Sequence, residues 1–193
     1  MATINTAAPV RAFLDLIAKS EGTSSNPVSH ADGYDVIVSG FDGPNSFADY
    51  SQHPFASGRA PILVRPGEVL PPSQQHPPPA GTTVIHVPAL QPLYSTASGR
   101  YQITLETWKF ISQKLSLHTF SPQNQDLAAI GLITDKNAYA HIIQGNIPAA
   151  IDACSNTWAS FAGNSYGQPT HNVTELLNWY GAALAAITET PTQ

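Results

Sequence analysis

The first strongly periodic stretch of the chain runs from Val10 to Gly22, VRAFLDLIAKSEG. Val10, Phe13, Leu14 and Ile17 recur at the spacing of one helical face, and Glu21 takes the next position of that face. The pattern predicts a helix capped by Thr6, with Pro9 in the first turn and Gly22 closing it in a left-handed conformation. Glu21 is then a last-turn residue whose carboxylate points toward the core. Unpaired carbonyls make that end of a helix partly negative, and partial burial disfavours an anion further, so an upward pKa shift is expected. An acid that keeps its proton near neutral pH suits donation to a leaving group. The plainer alternative is a solvated helix-end residue, the common fate of glutamate.

Strand-like pieces come next. GYDVIVSG, between Gly33 and Gly40, reads as a short strand with Tyr34, Val36 and Val38 on one face and Asp35 and Ile37 on the other. A second extended piece is expected from Ser46 to Tyr50. Two β-prone runs, Ile62-Leu63-Val64 and Thr83 to Val87, flank a Pro/Gln/Gly-rich stretch from Pro66 to Gly81 and predict a projecting hairpin with a long tip. Ten of the 17 prolines fall between His53 and Pro92, which confines this region to surface or edge structure, because proline cannot donate to a central ladder. The insertion over 53–93 is either a connection without function or a flap over part of a groove.

Helical patterns dominate the rest. Leu105, Trp108, Phe110, Ile111 and Leu115 form one stripe, and a second helix opens at Ser121-Pro122 with Leu127, Ile130 and Ile133. Two short helices are expected over 137–144 and 147–154. A last helix over 173–187 carries Leu176, Leu177, Tyr180, Leu184 and Ile187 on one side. Helices at both ends of the chain, with the strands gathered in one early block, predict an α+β fold in a single domain over 1–193.

Composition narrows the function classes. Charged residues make up only 11% of the 193, and 8 Lys plus Arg against 13 Asp plus Glu leave a net charge of −5. The basic residues are scattered, so a nucleic-acid binder is not expected. Cys154 is the only cysteine, which excludes an internal disulfide and fits a reducing compartment. Its place inside an apolar helix pattern argues against a thiol nucleophile. The 7 histidines form no ligand set at helix or strand spacing, so neither a metal nor any other cofactor is expected. MATINTAAPVRAF lacks a basic segment followed by an apolar block, so no signal peptide and no membrane insertion are expected.

Six segments in order carry a family resemblance: KSEGT at 19–23, GYDVIV at 33–38, DYSQHP at 49–54, SGRYQ at 98–102, FSPQNQD at 120–126 and AIDACSNTWAS at 150–160. With them the chain resembles the lambda-lysozyme family of phage endolysins, which are lytic transglycosylases and not hydrolases. The resemblance covers nearly all of the chain except the Pro-rich insertion, longer here than the family's loop, and the tail after Ile187. It implies a lysozyme-like fold, with a helical body, a small antiparallel sheet and a cleft between them. It also implies that Glu21 is the catalytic acid and base acting on peptidoglycan glycan strands. One carboxylate suffices when the nucleophile is a hydroxyl of the same sugar, because proximity supplies what a second carboxylate otherwise would.

The same resemblance suggests substrate-binding roles for Tyr34, Asp35, Ser98, Tyr101, Gln102, Trp158, Tyr166 and Gln168. Several have structural alternatives: Asp35 as a turn or strand-end residue, Trp158 as core, Arg100 as the partner of a core acid, and His53 as a hydrogen-bonded structural residue. Two other functions stay open at this point, a hydrolytic muramidase with Asp35 or Asp49 activating water, and a glycan-binding protein without catalysis. By resemblance, the protein is a monomer that waits in the host cytoplasm until a separate holin opens the route to the periplasm.

Overall fold

The computed structural model describes residues 1–67, 91–161 and 170–189. Helix α1, Ala8–Ser20, runs through the middle of the molecule and packs against three later helices: α3, Pro122–Asp135; α4, Ala138–Ile143; and α6, Val173–Glu189. Val10, Ala12, Phe13, Leu14, Leu16, Ile17 and Ala18 are all fully buried. The single apolar stripe read from the sequence understates this helix, which is enclosed on nearly every side as the axis of the core. Its N-cap is Ala7, with no side-chain cap, so Thr6 does not have the expected role. The C-terminal end follows the sequence more closely. Gly22 has φ +69°, its N–H donates to Lys19 O at 3.1 Å, and Thr23 N–H reaches Ala18 O at 3.0 Å. This left-handed closure places Glu21 at the C-cap, one step beyond the last helical turn.

The sheet region consists of two antiparallel hairpins. β1, Val36–Gly40, pairs with β2, Gly43–Ser46, while β3, Ile62–Arg65, pairs with β4, Leu93–Ser95. The hairpins meet where Phe41 N–H donates to Leu63 O at 3.0 Å. Gly40 makes this approach possible: a Cβ there would lie 2.2 Å from Ile62 Cγ2 and 2.9 Å from the Leu63 carbonyl oxygen. Two expectations need correction. The second extended piece lies at Gly43–Ser46 and not over 46–50, because the Phe41-Asp42 turn returns the chain at once. Tyr34 and Asp35 precede the strand in a turn and both are buried, so the expected alternation of faces does not apply to them. The Thr83 to Val87 run lies outside the described residues; within them, β3 is paired by Leu93–Ser95.

The remaining helices are α2, Leu105–Leu115, and α5, Ile147–Cys154. Thr104 caps α2 by accepting from Thr107 N–H at 3.3 Å, and Ser121 caps α3 by accepting from Asn124 N–H at 3.4 Å. Of the stripe expected on α2, Trp108 and Ile111 are buried, but Phe110 and Leu115 are exposed. On α3 the inward face is also offset from its apolar stripe: Gln125, Asp126, Ala128 and Ala129 are fully buried while Leu127 is exposed. His53 is structural, as expected. Its Nδ1 accepts from Phe55 N–H at 3.3 Å, which leaves Nε2 to donate to Ile103 O at 3.0 Å. Cys154 is buried in α5, and burial pushes its thiol up to about 12, far from a reactive thiolate. Among the described residues no helix is long and apolar enough to cross a membrane.

Asp126 explains why α3 turns a polar edge inward. Its Oδ1 accepts from the Tyr34 hydroxyl at 2.7 Å and the Tyr101 hydroxyl at 2.6 Å. Its Oδ2 accepts from Thr3 N–H at 2.7 Å, Thr3 Oγ1 at 2.8 Å and Ile4 N–H at 2.9 Å. A fully buried carboxylate is tolerable when each oxygen is met by donors in this way. Asp126→Ala strands two buried phenols and two backbone donors, so unfolding in urea should show a loss on the order of 3 kcal/mol or more. Tyr34→Phe, which leaves four donors in place, should cost about 1 kcal/mol.

Candidate active site

Glu21 stands where α1 ends and a groove begins. The groove is a cavity of about 240 Å³ between the C-terminal end of α1 with segment 157–159 on one side and the β3–β4 hairpin on the other. Val38, Val64, Leu93 and Ala97 give it an apolar wall, while Gln102, Thr104 and Thr157 supply polar groups. Glu21 is the only carboxylate among its described lining residues.

The acid is held and tuned by its surroundings. Ser160 Oγ donates to Glu21 Oε1 at 2.6 Å, and Ser160 Oγ also lies 3.0 Å from Ser20 Oγ, whose proton goes to the Ile17 carbonyl. Burial is the largest influence on the carboxyl and drives its pKa up to about 7; hydrogen bonds from the Ser160 side chain and backbone, and the nearby His171, oppose it. The half-buried carboxyl is therefore about equally protonated and ionised near neutral pH, able to give a proton and take one back.

The SGRYQ turn sits behind the groove, tied into the body through its backbone, and brings Gln102 to the cavity wall. Ser98 and Ile103 exchange backbone hydrogen bonds at 3.0 Å, and Gly99 N–H donates to Val36 O at 2.7 Å. Gly99 has φ +75°, and a Cβ there would lie 2.2 Å from Gln125 Oε1, which instead accepts from Arg100 N–H at 2.9 Å. Thr23 Oγ1 donates to Arg100 O at 2.6 Å, and Trp158 Nε1–H donates to Tyr101 O at 3.0 Å. Apart from the Ser98–Ile103 pair, each of these contacts joins the turn to a different part of the chain. The Arg100 side chain is buried and pairs with Asp15 at 2.8 Å and Asp32 at 3.0 Å, the core-acid role foreseen as its alternative.

This arrangement separates the eight expected substrate-binding residues. Gln102 lines the cavity, with a strained left-handed φ of +47° and its Nε2 donating to Gly99 O at 3.0 Å. Trp158 also borders the cavity, but it is 3% exposed and its indole N–H is committed to Tyr101, so its main role is packing. Tyr34 and Tyr101 are corrections: both rings are buried and both hydroxyls are bound to Asp126, behind the groove. Ser98 is likewise fully buried, with its hydroxyl donating to Thr96 O at 3.3 Å. Asp35 ties its own turn together, accepting from Ser29 Oγ at 2.5 Å and His30 N–H at 2.8 Å, and it borders a different hollow with Phe47 and Tyr50. Asp49 is exposed, and its carboxyl is held below the usual range by the backbone N–H and hydroxyl of Ser51. Neither aspartate lines the Glu21 cavity. Tyr166 and Gln168 lie outside the described residues.

Several residues of the site were not singled out from the sequence. Ser160 sits inside a quoted motif, but nothing in its spacing connects it to Glu21. Tyr94 belongs to no motif, and β4 is too short to show a period.

A helical body, a lobe of short hairpins and one protonatable carboxylate in the groove between them define a lysozyme-like class of cleft enzyme. The chain belongs to the Endolysin family, whose sequence profile matches residues 11–187. It is 41% identical over 185 residues to the endolysin of Escherichia phage P2, covering 95% of this chain and 97% of that protein. It is 34% identical over 180 residues to the endolysin of Escherichia phage lambda, with 93% of each covered. Among solved structures, bacteriophage lambda lysozyme complexed with a chitohexasaccharide superposes with a TM-score of 0.69 at 34% identity, covering 94% of this chain and 97% of that one. Another structure of lysozyme from bacteriophage lambda gives a TM-score of 0.61 at 31% identity, covering 97% and 96%. The α+β lysozyme-like fold and membership of an endolysin enzyme family, both expected from the ordered motifs, are thereby established.

The raised acid has a consequence for stability. Between its ordinary value of 4.5 and its folded value of about 7, the unfolded chain releases the Glu21 proton before the folded protein does. Stability from this group is therefore lost as pH rises through that window. Glu21→Gln should be more stable than wild type above pH 7 by on the order of 2 kcal/mol, a figure reduced for partial exposure, and equal to it below pH 4. Melting at pH 4 and pH 8 measures the difference. Ser160→Ala removes a donor that favours the anion, so an NMR titration of the Glu21 carboxyl should show its midpoint moving to still higher pH.

Proposed function

We propose that this endolysin cleaves the β-1,4 bond between N-acetylmuramic acid and N-acetylglucosamine in peptidoglycan by lytic transglycosylation, with Glu21 as its one catalytic carboxylate. The observation that carries the reading is a single protonatable acid, poised near neutrality, in a groove with no second carboxylate among its described lining residues. Protonated Glu21 gives its proton to the glycosidic oxygen as the bond to C1 breaks. The resulting carboxylate then takes the proton of the muramoyl 6-hydroxyl as O6 closes on C1, leaving a 1,6-anhydro sugar. No water is consumed. Hydrolysis by the usual routes needs a second carboxylate, either to activate water or to form a covalent intermediate, and Asp35 and Asp49 both lie away from the cavity.

Binding of a glycan strand in this groove is supported by the lambda lysozyme complexed with a chitohexasaccharide, similar to this chain over nearly its whole length. The net charge of −5 offers no general attraction to an anionic wall, so affinity comes from contacts in the groove. We also infer a monomer, held in the host cytoplasm until a separate holin opens the membrane and then active in the periplasm.

Mass spectrometry of the sugars released from purified peptidoglycan tests the mechanism. Wild type should yield muropeptides one water lighter than hydrolytic products. Glu21→Gln should lower the rate by at least about 10³-fold while still binding glycan. Full-mass products with reducing ends would make the protein a hydrolase.

A further inference from the structure

We propose that Tyr94 is a sugar-stacking residue on the hairpin side of the groove and adds binding energy for a neutral pyranose ring of the glycan strand. The inference rests on the glycan reading of the groove and adds a contact that no sequence motif marks. Tyr94 is the middle residue of β4, opposite Leu63 in the antiparallel register, so its backbone is held by the pairing. Its ring has no such enclosure: the residue is 57% exposed, yet it borders the same cavity as Glu21. Leaving a large aromatic ring partly in water forfeits stabilisation that burial would give, and here the ring stands at the mouth of a site.

The chemistry around it selects the ligand class. Among its described lining residues the cavity has no Lys, Arg, His or Asp, and Glu21 is the only acid. An anionic ligand would find no counter-charge among these residues. A pyranose suits the setting, because its axial C–H face packs on an aromatic ring while its hydroxyl and acetamido groups reach polar side chains such as Gln102 and Thr104. Thr157 strengthens the assignment: its Oγ1 is buried at the cavity wall without a hydrogen-bond partner, as expected of a site completed by a polar ligand or by water. Tyr94 thus presents an apolar surface from the hairpin side, facing a groove whose far side carries the acid.

The test uses the full-length chain with Glu21→Gln in place, so that binding is read without turnover. Chitohexaose is titrated into Glu21→Gln, Glu21→Gln/Tyr94→Ala and Glu21→Gln/Tyr94→Phe, and affinity is followed by calorimetry. Stacking predicts an affinity about tenfold weaker for the alanine variant and within about twofold of the parent for phenylalanine, which keeps the ring and loses only the hydroxyl. In otherwise wild-type protein, Tyr94→Ala should raise KM on glycan strands with little change in kcat. Circular dichroism and melting of both variants should match the parent, since the side chain is largely exposed. If the parent binds chitohexaose and the alanine variant binds equally well, the Tyr94 assignment is wrong and the glycan reading survives. A phenylalanine variant as weak as alanine overturns stacking in favour of a hydroxyl contact. Failure of the parent to bind chitohexaose or purified glycan strands overturns the glycan reading itself.

Discussion

The Asp126 carboxylate holds together three parts of the chain that are far apart in sequence. Through Thr3 and Ile4 it fixes the segment leading into α1; through Tyr34 it fixes the turn before β1; through Tyr101 it fixes the turn that carries Gln102 to the groove. None of these segments has enough regular secondary structure to fix its own position. A charge in the core is costly unless every lone pair is used, and using them means holding all these donors in one geometry at once. The polar network therefore specifies an arrangement that apolar packing alone leaves loose. The Tyr34 and Tyr101 rings meet edge to face at 6.3 Å, and the Arg100 guanidinium lies 5.3 Å from the centre of the Tyr34 ring, so the network continues outward to the Asp15 and Asp32 ion pairs.

This network determines where Glu21 can point. The end of α1 is closed by the Gly22 turn, and Thr23, just after that turn, donates to the Arg100 carbonyl. The acid and the turn that carries Gln102 are thus positioned together. The helix axis brings a carboxyl to the edge of the core and the Gly22 turn stops the chain before it reaches bulk water. Ser160 approaches from the other side to orient one oxygen. Burial raises the pKa while Ser160 lowers it, and the compromise is a group that can act in both directions near neutral pH.

Much of this was legible in the sequence, and the failures share one physical cause. Helix positions followed from caps and periodicity, since Ser121-Pro122 and the Gly22 terminus carry local signals that tertiary packing did not override. The placement of Glu21 at the edge of the core was readable because an acid continued an apolar stripe. Direction was not readable at turns. SGRYQ looks like a polar loop suited to sugar hydroxyls, yet Ser98, Arg100 and Tyr101 all face inward and only Gln102 borders the groove. A residue in a turn has no periodicity to reveal which way its side chain leaves, and a buried partner such as Asp126 can draw a phenol inward over any separation in sequence. The same reasoning explains α3, whose apolar stripe suggested one inner face while Gln125 and Asp126 set another. Tyr94 is the opposite case, an aromatic residue left at the surface with no motif around it.

The distribution of charge completes the account of the acid. A carboxyl with a pKa near 7 is easily lost: one cation facing it at short range stabilises the anion and removes the proton donor. Lys19, two residues away on the same chain, is the obvious threat. Its ammonium instead lies 5.0 Å from the centre of the Trp179 ring on α6, and that ring also takes His171 edge-on at 4.7 Å. His171 is in turn 3.1 Å from Glu175 Oε2 through Nδ1. Trp179 and Glu175, neither of which lines the cavity, thus hold Lys19 and His171 in contacts of their own. In a chain with few charged residues, Glu21 is kept protonatable by its burial, while Lys19 and His171 are engaged in contacts of their own.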